Sequence, residues 1–303
     1  MNKDIIRFFV PDCIIVFIGI IKAFCRAAKM RIRGIKTPKV TEDKVIIVGT
    51  GPSLQTTIKE AENVLKNTAC IVVNGFATSP LYEDIKPKYY ILADPVYFTP
   101  MNSLSDRNKG VVRNLRDALI KKTNWNVIFI FPYTAMDTEL YNSLLSIKTA
   151  SFQFYNNAGN AIVIPDWKIK FKLWNKGLIA PLCQTVLNTA ASIAITSRVQ
   201  NIYLVGADTS WLSTYEIDQN DNTLYSKDEH FYGINRIPIY SDEIKRKKQY
   251  LHDELKYVGQ AFKFYYILEK YAKYNRVNFF NASAYSWIDA LDRCVLGDSN
   301  KVQ

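Results

Sequence analysis

Six short runs of β-branched and aromatic residues recur along the chain: VIIVG (45–49), CIVVN (70–74), YYILAD (89–94), NVIFIF (126–131), NIYLVGAD (201–208) and VNFFN (277–281). Each is nearly continuous in apolar residues instead of alternating, which is the pattern of a strand covered on both faces. Longer segments separate the runs, as parallel strands require of their crossovers. Residues 187–196 and 254–274 read as two of the crossover helices; in the second, Leu255, Tyr257, Val258, Phe262, Tyr265 and Tyr266 recur near helical period. The expected fold is therefore α/β and Rossmann-like, a mostly parallel sheet with helices on both faces.

The first run leads directly into Gly49, Thr50, Gly51, Pro52 and Ser53. Two residues without side-chain bulk followed by a helix-starting proline make a strand-to-helix turn whose amides can face a phosphate. The turn is neither GxGxxG nor GxxxxGK[ST], so the usual dinucleotide and P-loop readings lose support. A tight turn that binds nothing is the alternative. Asn74 and Asp94 close the second and third runs, and Gly206 and Asp208 close the fifth. All four belong at the same sheet edge as the glycine turn, where open α/β sheets hold their ligands. An Asn or Asp after a strand is also the ordinary residue of a cap or turn. The run Asp218, Asn220, Asp221 reads as a solvated turn in preference to a metal loop.

Among 303 residues the formal net charge is +11, so an anionic partner is expected: nucleic acid, anionic lipid or a nucleotide-linked substrate. No nucleic-acid-binding signature accompanies the charge, which puts a non-enzymatic nucleic-acid binder last. Five cysteines without CxxC or zinc-type spacing point to reduced thiols and a cytoplasmic setting. The only histidines are His230 and His252, too few for a His-rich metal site.

The N-terminal apolar run, 13–21, falls short of a bilayer span by roughly eight residues. On a helix, Lys22, Arg26, Lys29 and Arg33 share one face while Ile20, Ile21, Phe24 and Ala28 lie toward another, the pattern of an interfacial anchor. Residues 1–36 are thus expected on an anionic membrane surface, with 34–43 as a linker. The competing reading packs the helix on the protein's own core or on a partner subunit in a homo-oligomer. Residues 1–40 are set apart from a catalytic domain at 41–303. Within that domain 151–184 is expected as a lid-like insertion and 209–253 as a polar, acceptor-side loop.

The run GTGPSL, the downstream VNGF, the later NIYLVGAD after a helix that starts near Thr185, and the polar loop with HFYG resemble the bacterial sialyltransferases of glycosyltransferase family 42. They also resemble the related MptE-like family, and the C-terminal VNFFNASAYSWIDAL is especially similar to that group. The resemblance implies a GT-A-variant, sialyltransferase-like fold. It also implies a glycosyltransferase that passes sialic acid or a related ulosonic acid from a CMP-activated donor to a surface-glycan or lipid-linked acceptor. Such an enzyme needs no metal and no further cofactor, and would work peripherally on the inner face of the cell membrane.

By resemblance, Gly49, Thr50, Gly51, Pro52, Ser53 and Asn74 contact the donor, joined by Asp94, Thr185, Gly206 and Asp208. Tyr215 assists departure of the phosphate, since a phenol stabilises growing negative charge. Where the sialyltransferases carry their basic His this chain has Ile234, which leaves His230 as the expected base. The MptE side of the resemblance implies a pterin pyrophosphokinase instead, using ATP and Mg²⁺ held by carboxylates such as Asp94 and Asp208.

Overall fold

The protein is described by a computed structural model over residues 12–159, 167–181, 183–230, 233–242 and 244–297. In chain order the main elements begin with α1 (Asp12–Ile32), β1 (Lys44–Val48), α2 (Leu54–Asn67), β2 (Cys70–Val73), α3 (Leu81–Ile85) and β3 (Tyr89–Ile91). There follow α4 (Asp106–Lys122), β4 (Val127–Pro132), α5 (Glu139–Leu144), β5 (Ala150–Tyr155), α6 (Trp167–Asn175), α7 (Val186–Thr196) and β6 (Asn201–Val205). The remainder comprises β7 (Tyr215–Ile217), β8 (Leu224–His230), β9 (Gly233–Pro238), β10 (Tyr240–Asp242), β11 (Lys247–Lys248), α8 (Leu251–Asn275) and β12 (Asn278–Asn281).

Seven strands form the central sheet in the order β12-β6-β1-β2-β3-β4-β5, and every neighbouring pair is parallel. The expected Rossmann-like α/β architecture is therefore present. Alternate side chains explain why the strands read as continuous apolar runs. Val45 and Ile47 of β1 enter one core with residues of α7 and α8, whereas Ile46 and Val48 enter another with residues of α2 and α4. Both faces are buried, so neither alternation partner is polar.

Two expectations change. Residues 151–184 are not an insertion throughout, because 150–155 form the edge strand β5, paired in parallel with β4. Behind it α6 seats Phe171 and Trp174 in the core. The sequence ASFQFY hides the strand: an edge position leaves Ser151 exposed and Phe152, Gln153 and Tyr155 half-buried, so no continuous apolar run results. Residues 160–166 lie outside the described residues.

The segment 34–43 is also more than a linker. Backbone amides of Lys39, Val40 and Thr41 donate to Gln153 Oε1 (2.9 Å), Ser197 Oγ (3.0 Å) and Tyr89 Oη (3.0 Å). Val40 is buried. The arm from α1 to β1 is thus tied across one face of the sheet. Helix α1 itself packs Val16, Ile20 and Ala23 on that face, so Ile20 points inward, not outward with Ile21 and Phe24. The polar stretch 209–253 folds as the antiparallel sheet β7-β8-β9 and the pair β10-β11. Its Asp218 and Asp221 carboxylates accept from Asn220 N and Thr223 N, as turn residues do.

Candidate functional site at the carboxyl edge of the sheet

The glycine turn and the end of β6 are built as one unit. Gly49 N donates to Val205 O (2.8 Å) and Gly51 N to Gly206 O (2.9 Å). The close approach requires glycine at these positions. A Cβ on Gly49 would stand 2.4 Å from Gly206 O, and one on Gly51 would stand 2.2 Å from Asp208 Oδ1.

Ser53 completes the unit. Its amide donates to Asp208 Oδ2 (2.9 Å) and its hydroxyl to Asp208 Oδ1 (2.5 Å), with both residues buried. Asp208 therefore sits at the N-terminus of α2, where the helix dipole and free amides favour negative charge. The next two amides of that helix, Leu54 N and Gln55 N, close on Gly51 O and Pro52 O. The turn expected to receive a phosphate holds the chain's own carboxylate instead. Thr50 is half-buried and Pro52 exposed.

Burial raises the Asp208 carboxyl above its ordinary 3.8, against the pull of the Ser53 hydrogen bonds. The folded chain therefore holds this proton more tightly than the unfolded chain. The group's contribution to stability is largest in acid and declines as pH rises above 3.8. Removing the carboxylate is a separate matter, since it strands two buried Ser53 donors. Asp208→Ala is expected to cost about 1–3 kcal/mol for each unpaired group, read as a lower urea midpoint at neutral pH.

A cavity of 620 Å³ opens beside this unit, within the range of small-ligand sites. Asn74, Asp94, Pro132 and Tyr155 bring the ends of β2 to β5 into its wall, and Gln184 and Thr185 bring the start of α7. The end of α1 and the arm that follows it also line the cavity, through Met30, Arg31, Ile35 and Thr37. Of the predicted residues, Asn74, Asp94 and Thr185 are brought together here. Gly49, Thr50, Gly51, Pro52, Ser53, Gly206 and Asp208 are not among its lining residues.

Helix α7 presents an open N-terminus to this space. Thr185 caps it by accepting from Asn188 N at 3.1 Å, while the amides of Val186 and Leu187 have no acceptor among the described residues. Asn74 lies at φ +43°, its carbonyl held by the Tyr90 hydroxyl at 2.5 Å and its Oδ1 without a partner among the described residues. Asp94 is exposed and caps a short 3₁₀ turn by accepting from Val96 N at 3.0 Å. It is the only carboxylate in the cavity wall among the described residues, and Arg31 and Lys176 line the same space. Burial pushes the lining Cys183 thiol up to about 12, so it is not a thiolate nucleophile at neutral pH.

Tyr215 stands apart from the cavity. Its hydroxyl donates to Glu254 Oε2 at 3.2 Å, and burial together with that carboxylate raises its pKa. The backbone of His230 pairs with Gly233 in the β8-β9 ladder, but its side chain lies outside what is described. No cluster of three or more His, Cys, Asp or Glu able to hold a metal occurs among the described residues. Asp208, turned onto Ser53, does not join Asp94 as the carboxylate pair that an ATP–Mg²⁺ site was expected to use.

Several contributors carried no motif. The buried Asn156 shares its two Nδ2 hydrogens among Ala23 O, Gly177 O and Leu178 O, which joins α1 to the loop after α6 beside the cavity. Its only sequence signal is its position after β5. Asn188, buried at the third position of α7, has neither carboxamide atom paired among the described residues. Tyr265 from α8 brings its hydroxyl beside those of Thr185 and Thr209. The C-terminal motif has a structural use: Ser283 Oγ accepts from Ala207 N (3.1 Å), and Trp287 N donates to Asp208 O (2.9 Å).

A family model described as 6-hydroxymethylpterin diphosphokinase MptE-like matches residues 22–214. That span includes every site residue from Gly49 to Asp208 and ends just before Tyr215. No curated protein matches the sequence. Among solved structures, the MAf glycosyltransferase from Magnetospirillum magneticum AMB-1 is similar at 16% identity and a TM-score of 0.48, over 89% of this chain and 36% of that one. The chain therefore spans 36% of the length of that protein. No helix among the described residues is long and apolar enough to cross a membrane.

Proposed function

Given that this chain belongs to the 6-hydroxymethylpterin diphosphokinase MptE-like family, we propose that it is a transferase whose nucleotide-activated donor binds in the 620 Å³ cavity, with its phosphate at the start of α7. The observation that carries this reading is the contrast between two helix N-termini at one sheet edge. That of α2 is filled by Asp208, whereas that of α7 opens into the cavity.

The preferred donor is a CMP-activated sugar, sialic acid or a related ulosonic acid, with a glycan or lipid-linked glycan as acceptor. Carboxamides and a hydroxyl line the polar end through Asn74, Asn157, Gln184 and Thr185, groups suited to the hydrogen-bonding edges of a base and a sugar. Positive partial charge at the start of α7, with Thr185, would stabilise the departing phosphate. Tyr215 would do so only after leaving Glu254. His230 is the proposed base, and the reaction needs no metal. A retained turnover in His230→Ala would remove it from that role.

The family description favours a second reading, an ATP- and Mg²⁺-dependent diphosphokinase. A thermal-shift screen of CMP, CDP, UDP, GDP and ATP, each with and without Mg²⁺, separates the two, because a ligand that binds only the native state raises its melting temperature. Stabilisation by CMP or CDP that is indifferent to Mg²⁺ is the expected outcome. Stabilisation by ATP only with Mg²⁺ would replace the glycosyltransferase reading with the diphosphokinase one.

A further inference from the structure

Helix α1 is divided lengthwise into three sectors. Val16, Ile20, Ala23, Ala27 and Met30 face the domain and are buried or half-buried. Ile14, Phe17, Ile18, Ile21 and Phe24 recur at helical spacing on the outer side, where Phe17 is 63% and Ile21 46% exposed. Lys22 and Lys29 are exposed in the third sector, beside the apolar stripe, while Arg26 between them turns toward the domain and donates to Asn157 Oδ1 at 2.9 Å. A continuous exposed stripe of this kind marks an interaction surface.

We propose that this outer stripe docks in the plane of an anionic lipid surface, its apolar side chains entering the acyl boundary while the basic sector meets the headgroups. The charge of the helix chooses lipid over a second copy of the chain. The helix contains no acidic residue after Asp12, so the same helix of a two-fold partner would bring no counter-charge to Lys22 and Lys29. Anionic headgroups neutralise them. The helix is not long and apolar enough to span a bilayer, which leaves a surface-lying position. The inward turn of Ile20 does not weaken the surface, because the five outer residues remain free of the core.

Sedimentation of the full chain with vesicles tests this, using equal parts of phosphatidylglycerol and phosphatidylcholine against phosphatidylcholine alone. The chain is expected to pellet with the anionic vesicles and not with the neutral ones. Phe17→Asp with Ile21→Asp, and separately Lys22→Glu with Lys29→Glu, should each weaken binding roughly tenfold or more. Both pairs are exposed, so the melting temperature should hold; the lysine pair stands as the test if the apolar pair fails to fold. Equal binding to neutral vesicles, no binding to anionic ones, or native affinity in the lysine variant overturns the proposal. A concentration-dependent dimer lost in Phe17→Asp, without vesicle binding, would assign the stripe to a second copy and overturn it too.

Discussion

Gly49→Ala is expected to lower the melting temperature by roughly 5–10 °C, or to prevent recovery of folded protein. The added methyl would sit 2.4 Å from Gly206 O and 2.9 Å from Gly206 C. Both are backbone atoms, and Gly206 is itself at φ +60°, a conformation few other residues adopt. Relief therefore requires β1 and β6 to separate at their carboxyl ends, breaking the Gly49 N to Val205 O and Gly51 N to Gly206 O bonds together. Gly110→Ala is the control. It lies within α4, where an added methyl meets nothing within 4 Å, and helix propensity makes the change stabilising by about 0.5–1 kcal/mol. Calorimetry that finds Gly49→Ala as stable as the native chain would refute the close approach of the two turns.

Thr185→Val is expected to weaken nucleotide binding roughly tenfold to a hundredfold, the range for losing one hydrogen bond to a charged group. The hydroxyl accepts from Asn188 N and has its own hydrogen to donate to a phosphate oxygen. Loss of the cap also costs about 0.5–2 kcal/mol of stability, so binding and folding must be separated. Ser105→Ala provides the comparison, because Ser105 caps α4 through Asn108 N and is absent from the cavity wall. A similar fall in melting temperature with unchanged calorimetric affinity is expected there. Native affinity in Thr185→Val would move the phosphate away from α7.

The sheet was legible because burial on both faces leaves a strand with no polar residues to obscure it, as in VIIVG and CIVVN. Strand β5 was not, since its edge position mixes Ser151 and Gln153 with Phe152 and Phe154. The glycine turn was legible as a turn, but not in its use. Which acceptors its amides meet depends on Gly206 and Asp208, separated from it by the length of the sheet's crossovers, and no local pattern reports that pairing. Asn74, Asp94 and Thr185 were recognisable as strand-end and helix-start residues, and the cavity does contain them. Other parts of its wall come from α1, the arm and the loop after α6. Asn156 ties α1 to that loop with a single side chain and no motif.

The arm that walls the cavity has a thermodynamic consequence. Met30, Arg31, Ile35 and Thr37 touch whatever fills the space, while the stripe ahead of them on α1 faces outward. A ligand in contact with that wall gains those contacts only while the arm is seated, and so opposes its release. Reciprocity then requires that anything which holds the arm in place tightens the ligand by the same factor. Affinity measured on a chain truncated before β1 would accordingly understate that of the whole protein, by an amount equal to the ligand's own effect on seating the arm.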